Sequence, residues 1–291
     1  MPITPITPIT PITPVPPIAE TMTRDRLRSA GKLGYYGTAG ALALLFLLPL
    51  LWSGWASVKT PHGFGLTNYR NMVHYGDGIG TYLANSAAVT AMTVTGTLLV
   101  SILGGYAFGR FRFPGKNVLF LATLAILMVP YPTILIPLYV LLGDLGLQNS
   151  LVGLSMVLVM FQLPFATFMM RNSFEAVPQE LEDSAAVDGC GSFTTLTRVM
   201  IHTVRPAVVT VGLFAFLAAW NEFFAALILL NSSDKFTLPL AVVSMEGRTF
   251  GSIDYPTLQA GVVFMAIPCL VLFLLLQRSY VRGFMTGALR S

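Results

Sequence analysis

Six apolar runs, at approximately 35–57, 82–109, 117–142, 151–170, 204–230 and 258–278, occupy most of this 291-residue chain. Each is long enough for a helix that crosses a hydrocarbon core about 30 Å thick, which takes about 20 residues. In hydrocarbon a backbone must satisfy its own N–H and C=O groups, so only helices and closed barrels span. Barrel strands alternate apolar and polar residues over about ten positions, whereas these runs are continuous. A water-soluble bundle would need polar stripes. Charged residues make up 10% of the chain, against about 25% in soluble domains. The sequence therefore predicts an all-α membrane protein with six transmembrane helices.

The basic residues predict its orientation. With the N-terminus inside, 13 of the 17 Lys and Arg residues fall on the inner side and four (Lys59, Arg70, Lys235 and Arg248) on the outer side. Basic residues favour cytoplasmic loops, so both termini are expected in the cytoplasm. Residues 1–33 read as a disordered tail followed by a basic segment. The repeat PITPITPITPITPVPP, residues 2–17, places proline every third residue and favours an extended polyproline II coil. It reads either as a docking peptide or as a tail kept out of the bilayer. Arg24, Arg26, Arg28 and Lys32 follow and suit the anionic cytoplasmic membrane face. No secretory signal is expected in these 33 residues, since they lack an apolar core of sufficient length. Cys190 falls in a cytoplasmic loop and Cys269 within a membrane helix, so no disulfide is expected.

Details within the runs suggest packing and bending. Trp52, Trp55, Tyr82 and Tyr139 lie near run ends, where amphipathic rings prefer the interface. Ser101, Gly105 and Gly109, spaced by four, form a ridge that admits a neighbouring helix closely. Pro130, Pro132 and Pro137 remove backbone donors and should bend or interrupt the third helix. Asn221 and Glu222 fall within the fifth run, roughly 12 Å below its outer end at 1.5 Å per residue. A carboxylate at that depth is expensive and faces the bundle interior or water. It reads either as a residue of a translocation path or as a structural hydrogen-bond partner.

No catalytic constellation is present in the sequence. Gly31-Lys32 and Gly115-Lys116 lack both the upstream glycine and the Ser or Thr of a phosphate-binding loop, so the chain is not expected to hydrolyse ATP in that manner. His62, His74 and His202 lack carboxylates or cysteines at metal-ligand spacing. No cofactor, metal or nucleic acid is expected to bind this chain.

The loop at 171–203 stands out. Only 13 residues of the chain are acidic, and five of them (Glu175, Glu180, Glu182, Asp183 and Asp188) fall between 175 and 188. The loop reads as two short helices. Pro178 suits the first turn of the first helix, and Glu180, Glu182 and Asp183 complement its positive end. Glu182, Ala185, Ala186 and Gly189 have the spacing of one helical face, small except at its leading acid, fit to enter a partner's groove. Gly189 and Gly191 would end the helix in left-handed conformations, and Ser192 would cap the second helix.

The stretch PQELEDSAAVDGCGSFTTLTRVMIHTVRP resembles the cytoplasmic loop of permease subunits in bacterial ATP-binding-cassette importers, which reads Glu-Ala-Ala, three residues, Gly, nine residues, Ile-x-Leu-Pro. Asp183-Ser184-Ala185 occupies the Glu-Ala-Ala place, Gly189 the glycine, and Val199 and Ile201 the Ile and Leu places. His202 stands where proline is usual. FRFPGKN, VPYPTILIPLYVLLGDLGLQNS, AWNEFFAALIL and IPCLVLFLLLQRSYVRGFMTGA are similar to the carbohydrate-uptake branch, in particular its maltose-type second permease. The resemblance runs from about residue 34 to the C-terminus.

The resemblance implies a type I importer permease domain over 34–288, with 289–291 as a short tail. It implies that the loop is a coupling helix, with Glu182, Asp183, Ser184, Ala185, Ala186, Asp188 and Gly189 meeting a cytoplasmic nucleotide-binding ATPase dimer, which would bind ATP and Mg. A second, related permease would complete the pathway. An extracytoplasmic solute-binding protein or lipoprotein would contact the outer loop, Asn231 to Pro256, and the chain would lie among membrane lipid in the bacterial inner membrane. Other solutes (glycerol phosphodiesters, amino acids or polyamines) remain open, as does an ion-coupled secondary carrier.

Overall fold

The computed structural model describes the backbone of residues 18–61, 63–245 and 254–288, and side chains among these from Tyr35 to Leu275. The Pro-Ile-Thr repeat, His62, residues 246–253 and the tail 289–291 lie outside the described residues, as do the side chains of the basic segment. The chain divides into two units, residues 1–52 and 53–291.

Helix α1 (Ile18–Ser57) starts well before the expected residue 35. Pro17 is the last proline of the repeat, and helix-permissive residues follow it. The apolar part of α1, Tyr35–Ser57, has 23 residues and is long enough to span. A two-residue hairpin, β1 (Lys59–Thr60) and β2 (Gly63–Phe64), comes next, and then α2 (Thr67–Val73). Asn68 ties this link together by donating to the carbonyls of Ser57 and Lys59, each at 2.8 Å.

Helix α3 (Ile79–Arg110) is the longest described helix of the second unit apart from α13. Its main partner is α6 (Leu151–Glu175), and the expected glycine ridge is the seam between them. A Cβ at Gly105 would lie 2.4 Å from that of Met170 and 2.9 Å from the backbone nitrogen of Arg171. A Cβ at Gly109 would lie 3.2 Å from that of Phe174. Only glycine permits this approach. Helix α6 continues past the expected residue 170 because Arg171 and Glu175 pair on its surface at 2.9 Å.

The third run is two helices, not one. α4 (Lys116–Ala125) ends in a 3₁₀ turn at Ile126–Met128, and α5 (Tyr131–Asp144) leaves at 106° to it. Val129 is extended, as the residue before Pro130 should be. Pro132 sits harmlessly in the first turn of α5, and Pro137 lies within that helix without ending it. Of the three prolines, Pro130 accounts for the break.

The fifth run begins at Val204, as expected, and this residue separates the preceding rod Ser192–Thr203 from α10 (Arg205–Trp220) with an 82° change of direction. The rod comprises α8 (Ser192–Thr195), a π-helical turn (Leu196–Met200) and α9 (Ile201–Thr203). After α10 the helix stops at Asn221 and resumes as α11 (Phe224–Leu229). Next come α12 (Leu238–Ser244) and α13 (Tyr255–Ala288). The described residues thus contain four helices long and apolar enough to cross a membrane, and six passes if each bent pair counts as one.

One expectation needs correction. Tyr82 is not an interfacial anchor. It is buried, and its hydroxyl accepts from the backbone N–H of Asp77 at 2.9 Å. In the expected outer loop, the described residues 231–245 are tied to the bundle. Asn149 (φ +48°) accepts from the backbone N–H groups of Asn231 and Ser232, and Asn85 donates to the carbonyls of Asp234 and Phe236. Leu238, Ala241 and Val242, in α12, are then buried with Met72, Trp220 and Ala260, while Leu240 joins the core around Val89 and Leu135.

Candidate functional site

The acidic loop contains α7 (Glu180–Val187), followed by a turn and the Ser192–Thr203 rod, so the two expected short helices are present. Pro178 stands just outside α7, where its carbonyl accepts from the Leu181 N–H at 3.4 Å, and the carbonyl of Gln179 accepts from the N–H groups of Glu182 and Asp183. At the other end the Cys190 N–H bonds the carbonyl of Ala185 at 2.9 Å, and the Gly189 N–H that of Ala186 at 3.0 Å. This is a Schellman closure, which needs a left-handed residue, and Gly189 supplies it at φ +78°. Gly191 is not left-handed. With φ −74° it takes the N-cap place of α8, so Ser192 is the first helical residue and caps nothing with its side chain.

The proposed small face does not point outward as a whole. Ala185 is buried and Glu182 half-buried, while Asp183, Ser184, Ala186, Asp188 and Gly189 are exposed. Helical spacing keeps 182, 185 and 186 on one side of α7 and carries 183, 184 and 187 to the other. Packing against the Ser192–Thr203 rod and the end of α3 therefore covers only part of that side. The outward side of the loop carries apolar residues that the small-residue spacing does not mark. Val187 is 88% exposed, Phe193 71% and Leu181 41%. Carboxylates of Glu180, Asp183 and Asp188 stand exposed among them. An apolar patch rimmed by charge suits docking to another protein. There is no nucleophile–base pair here, and no group of three potential metal ligands occurs among the described residues.

The inward side joins α7 to α3. The Arg110 Nε lies 3.5 Å from the Glu182 Oε2, with both side chains largely out of solvent (12% and 19% exposed). The same guanidinium donates to the carbonyl of Val177, 67 positions away in sequence. Tyr106 faces Glu182, and its ring packs edge-on to Phe174 at 5.4 Å. In the sequence Arg110 is one basic residue among several. Its pairing was not legible, because nothing local relates residues so far apart.

Asn221 and Glu222 occupy the gap between α10 and α11. The Asn221 amide donates to the carbonyl of Leu217 at 2.8 Å. The Glu222 Oε1 accepts from the backbone N–H of Ala225 at 2.7 Å. Glu222 therefore satisfies one of the donors freed by the break, a role expected of a capping residue.

Residues 101–284 match the family model described as binding-protein-dependent transport system inner membrane component. The chain belongs to this family. A probable ABC transporter permease protein, YurM of Bacillus subtilis, is 32% identical over 271 residues, covering 88% of this chain and 90% of its own. The diacetylchitobiose uptake system permease protein DasC of Streptomyces coelicolor is 35% identical over 214 residues, covering 74% and 77%. A chain of a bacterial ABC transporter involved in import of the acidic polysaccharide alginate superposes with a TM-score of 0.72 at 22% identity, covering 91% of this chain and 99% of that one. This chain thus has the fold of an ABC-importer permease and is a multi-pass membrane subunit.

Proposed function

We propose that the chain is one permease subunit of an ATP-driven, binding-protein-dependent importer of sugars or oligosaccharides. It spans the inner membrane six times with both termini in the cytoplasm. The carrying observation is α7, a short helix closed by Gly189, whose Leu181 and Val187 stand exposed with Phe193 of α8 among carboxylates. It is a surface made for a protein partner, and its sequence resembles that of the coupling loop. A cytoplasmic ATPase dimer holds ATP and Mg and pushes on Asp183, Ser184, Ala186, Asp188 and Gly189, while Glu182 and Ala185 seat the helix from behind. Hydrolysis belongs to that ATPase, and this chain moves.

A second, related permease completes the pathway, and an extracytoplasmic binding protein delivers solute to the other face. The break at Asn221 and Glu222 supports a place beside the path. Non-helical backbone at membrane depth is tolerated where it is buried in protein or lines a cavity, and broken helices recur at substrate sites. The name of DasC and the resemblance of the 129–150 and 219–229 segments to the carbohydrate branch support a saccharide as cargo.

The reading is tested by crosslinking. In the complex isolated from membranes, with Cys190→Ser and Cys269→Ala in place, Val187→Cys should couple to the ATPase subunit when a short bis-maleimide is added, and Tyr139→Cys should not. Transport by the purified chain alone in vesicles would refute the proposal. So would crosslinking of Val187→Cys only to extracytoplasmic protein.

A further inference from the structure

The docking helix is tied to the rest of the protein unevenly. Its C-terminal end runs into Gly189-Cys190-Gly191, where a Cβ at either glycine would meet nothing within 4 Å. Such a turn bends easily under load. A push on α7 would be lost there if the chain were its only connection. Its N-terminal end is held differently. Glu182 faces Arg110, the last residue of α3, and the same guanidinium grips the Val177 carbonyl just before α7. One turn back along α3, Gly105 and Gly109 press against the backbone of α6 with no slack. Two packed helices and one charged contact therefore make a stiff route from α7 into the bundle. The Arg110 Nε and the Glu182 Oε2 stand 3.5 Å apart, longer than a hydrogen bond, so the pair can close further.

We propose that Arg110 and Glu182 are positioning residues that latch α7 to the end of α3, delivering the movement of a docked partner to α3 and α6 rather than only along the chain to α10. The latch rests on the reading of α7 as the docking helix. It concerns a contact inside this chain, separate from the partner surface. Sites that are coupled do so through packed or charged elements whose equilibrium both ends bias.

The test uses the whole complex, with its ATPase, partner permease and binding protein, in proteoliposomes. Arg110→Gln, Glu182→Gln, the double variant and Arg110→Lys are compared by uptake per ATP hydrolysed, a ratio that lost assembly alone does not change. Each single Gln variant should lower that ratio roughly fivefold or more. The double variant should be no worse than the poorer single, and Arg110→Lys should keep more of the ratio than Arg110→Gln. An unchanged ratio in both singles, or losses that multiply in the double, would overturn the latch. The Val187→Cys crosslink to the ATPase in the unaltered complex separates the two ideas. Crosslinking with unchanged ratios sinks the latch and leaves docking intact, whereas no crosslinking sinks both.

Discussion

Gly105→Ala offers the sharpest test of how the bundle is built. The new Cβ would sit 2.4 Å from the Met170 Cβ and 2.9 Å from both the Met170 carbonyl carbon and the Arg171 nitrogen. Carbon atoms settle at about 3.5–4.0 Å, so α6 must retreat by about 1 Å. Two of the three contacts are backbone, and no rotamer change relieves them. The retreat loosens the Phe174 ring against Tyr106 as well. Overpacking of this kind costs about 1–3 kcal/mol, while the change from Gly to Ala within a helix returns at most about 1 kcal/mol. A net loss of up to about 2 kcal/mol is expected. Gly96→Ala is the control, because its Cβ would meet only the Val159 side chain, nearest atom Cγ2 at 2.9 Å. That contact is a side chain and not backbone, so this variant should lose less than Gly105→Ala. The assay is unfolding of the purified protein in mixed micelles by SDS titration, followed by tryptophan fluorescence. A Gly105→Ala midpoint at or above that of the parent would refute the reasoning, as would an equal fall for Gly96→Ala.

At Gly189, with φ +78° and open space around it, Asn should preserve uptake because it tolerates the left-handed region, whereas Trp should abolish uptake by bulk at the docking surface. Uptake and stimulated hydrolysis in reconstituted complexes check this. Glu222→Gln keeps an acceptor for the Ala225 N–H and should unfold at nearly the parental SDS concentration, while Glu222→Ala leaves a buried donor unmet and should lose about 1–3 kcal/mol. Asn149→Ala removes the acceptor for Asn231 and Ser232 and puts alanine at φ +48°. It should destabilise by about 2–3 kcal/mol, with Asn149→Gly recovering roughly 1 kcal/mol of that. Faster proteolysis of the 231–237 segment is the readout.

The sequence by itself determined the class of solvent, the helical class and the short helix of the acidic loop. Continuous apolar runs leave hydrocarbon as the only medium and helices as the only continuous conformation. The acidic cluster and the glycine at 189 mark a short helix and its end, because capping and dipole effects act within a turn or two of chain. The Gly105–Gly109 ridge was equally legible as a place of close approach. The tertiary structure alone decided what those elements meet. It chose Pro130 over its neighbours as the break, buried Tyr82, folded 238–242 inward and turned Glu182 toward Arg110. The physical reason is range. Propensity, capping and amphipathicity are set by residues a few positions apart, whereas the partner of a charge or a glycine face is set by which helices pack together, and no local pattern in the chain encodes that.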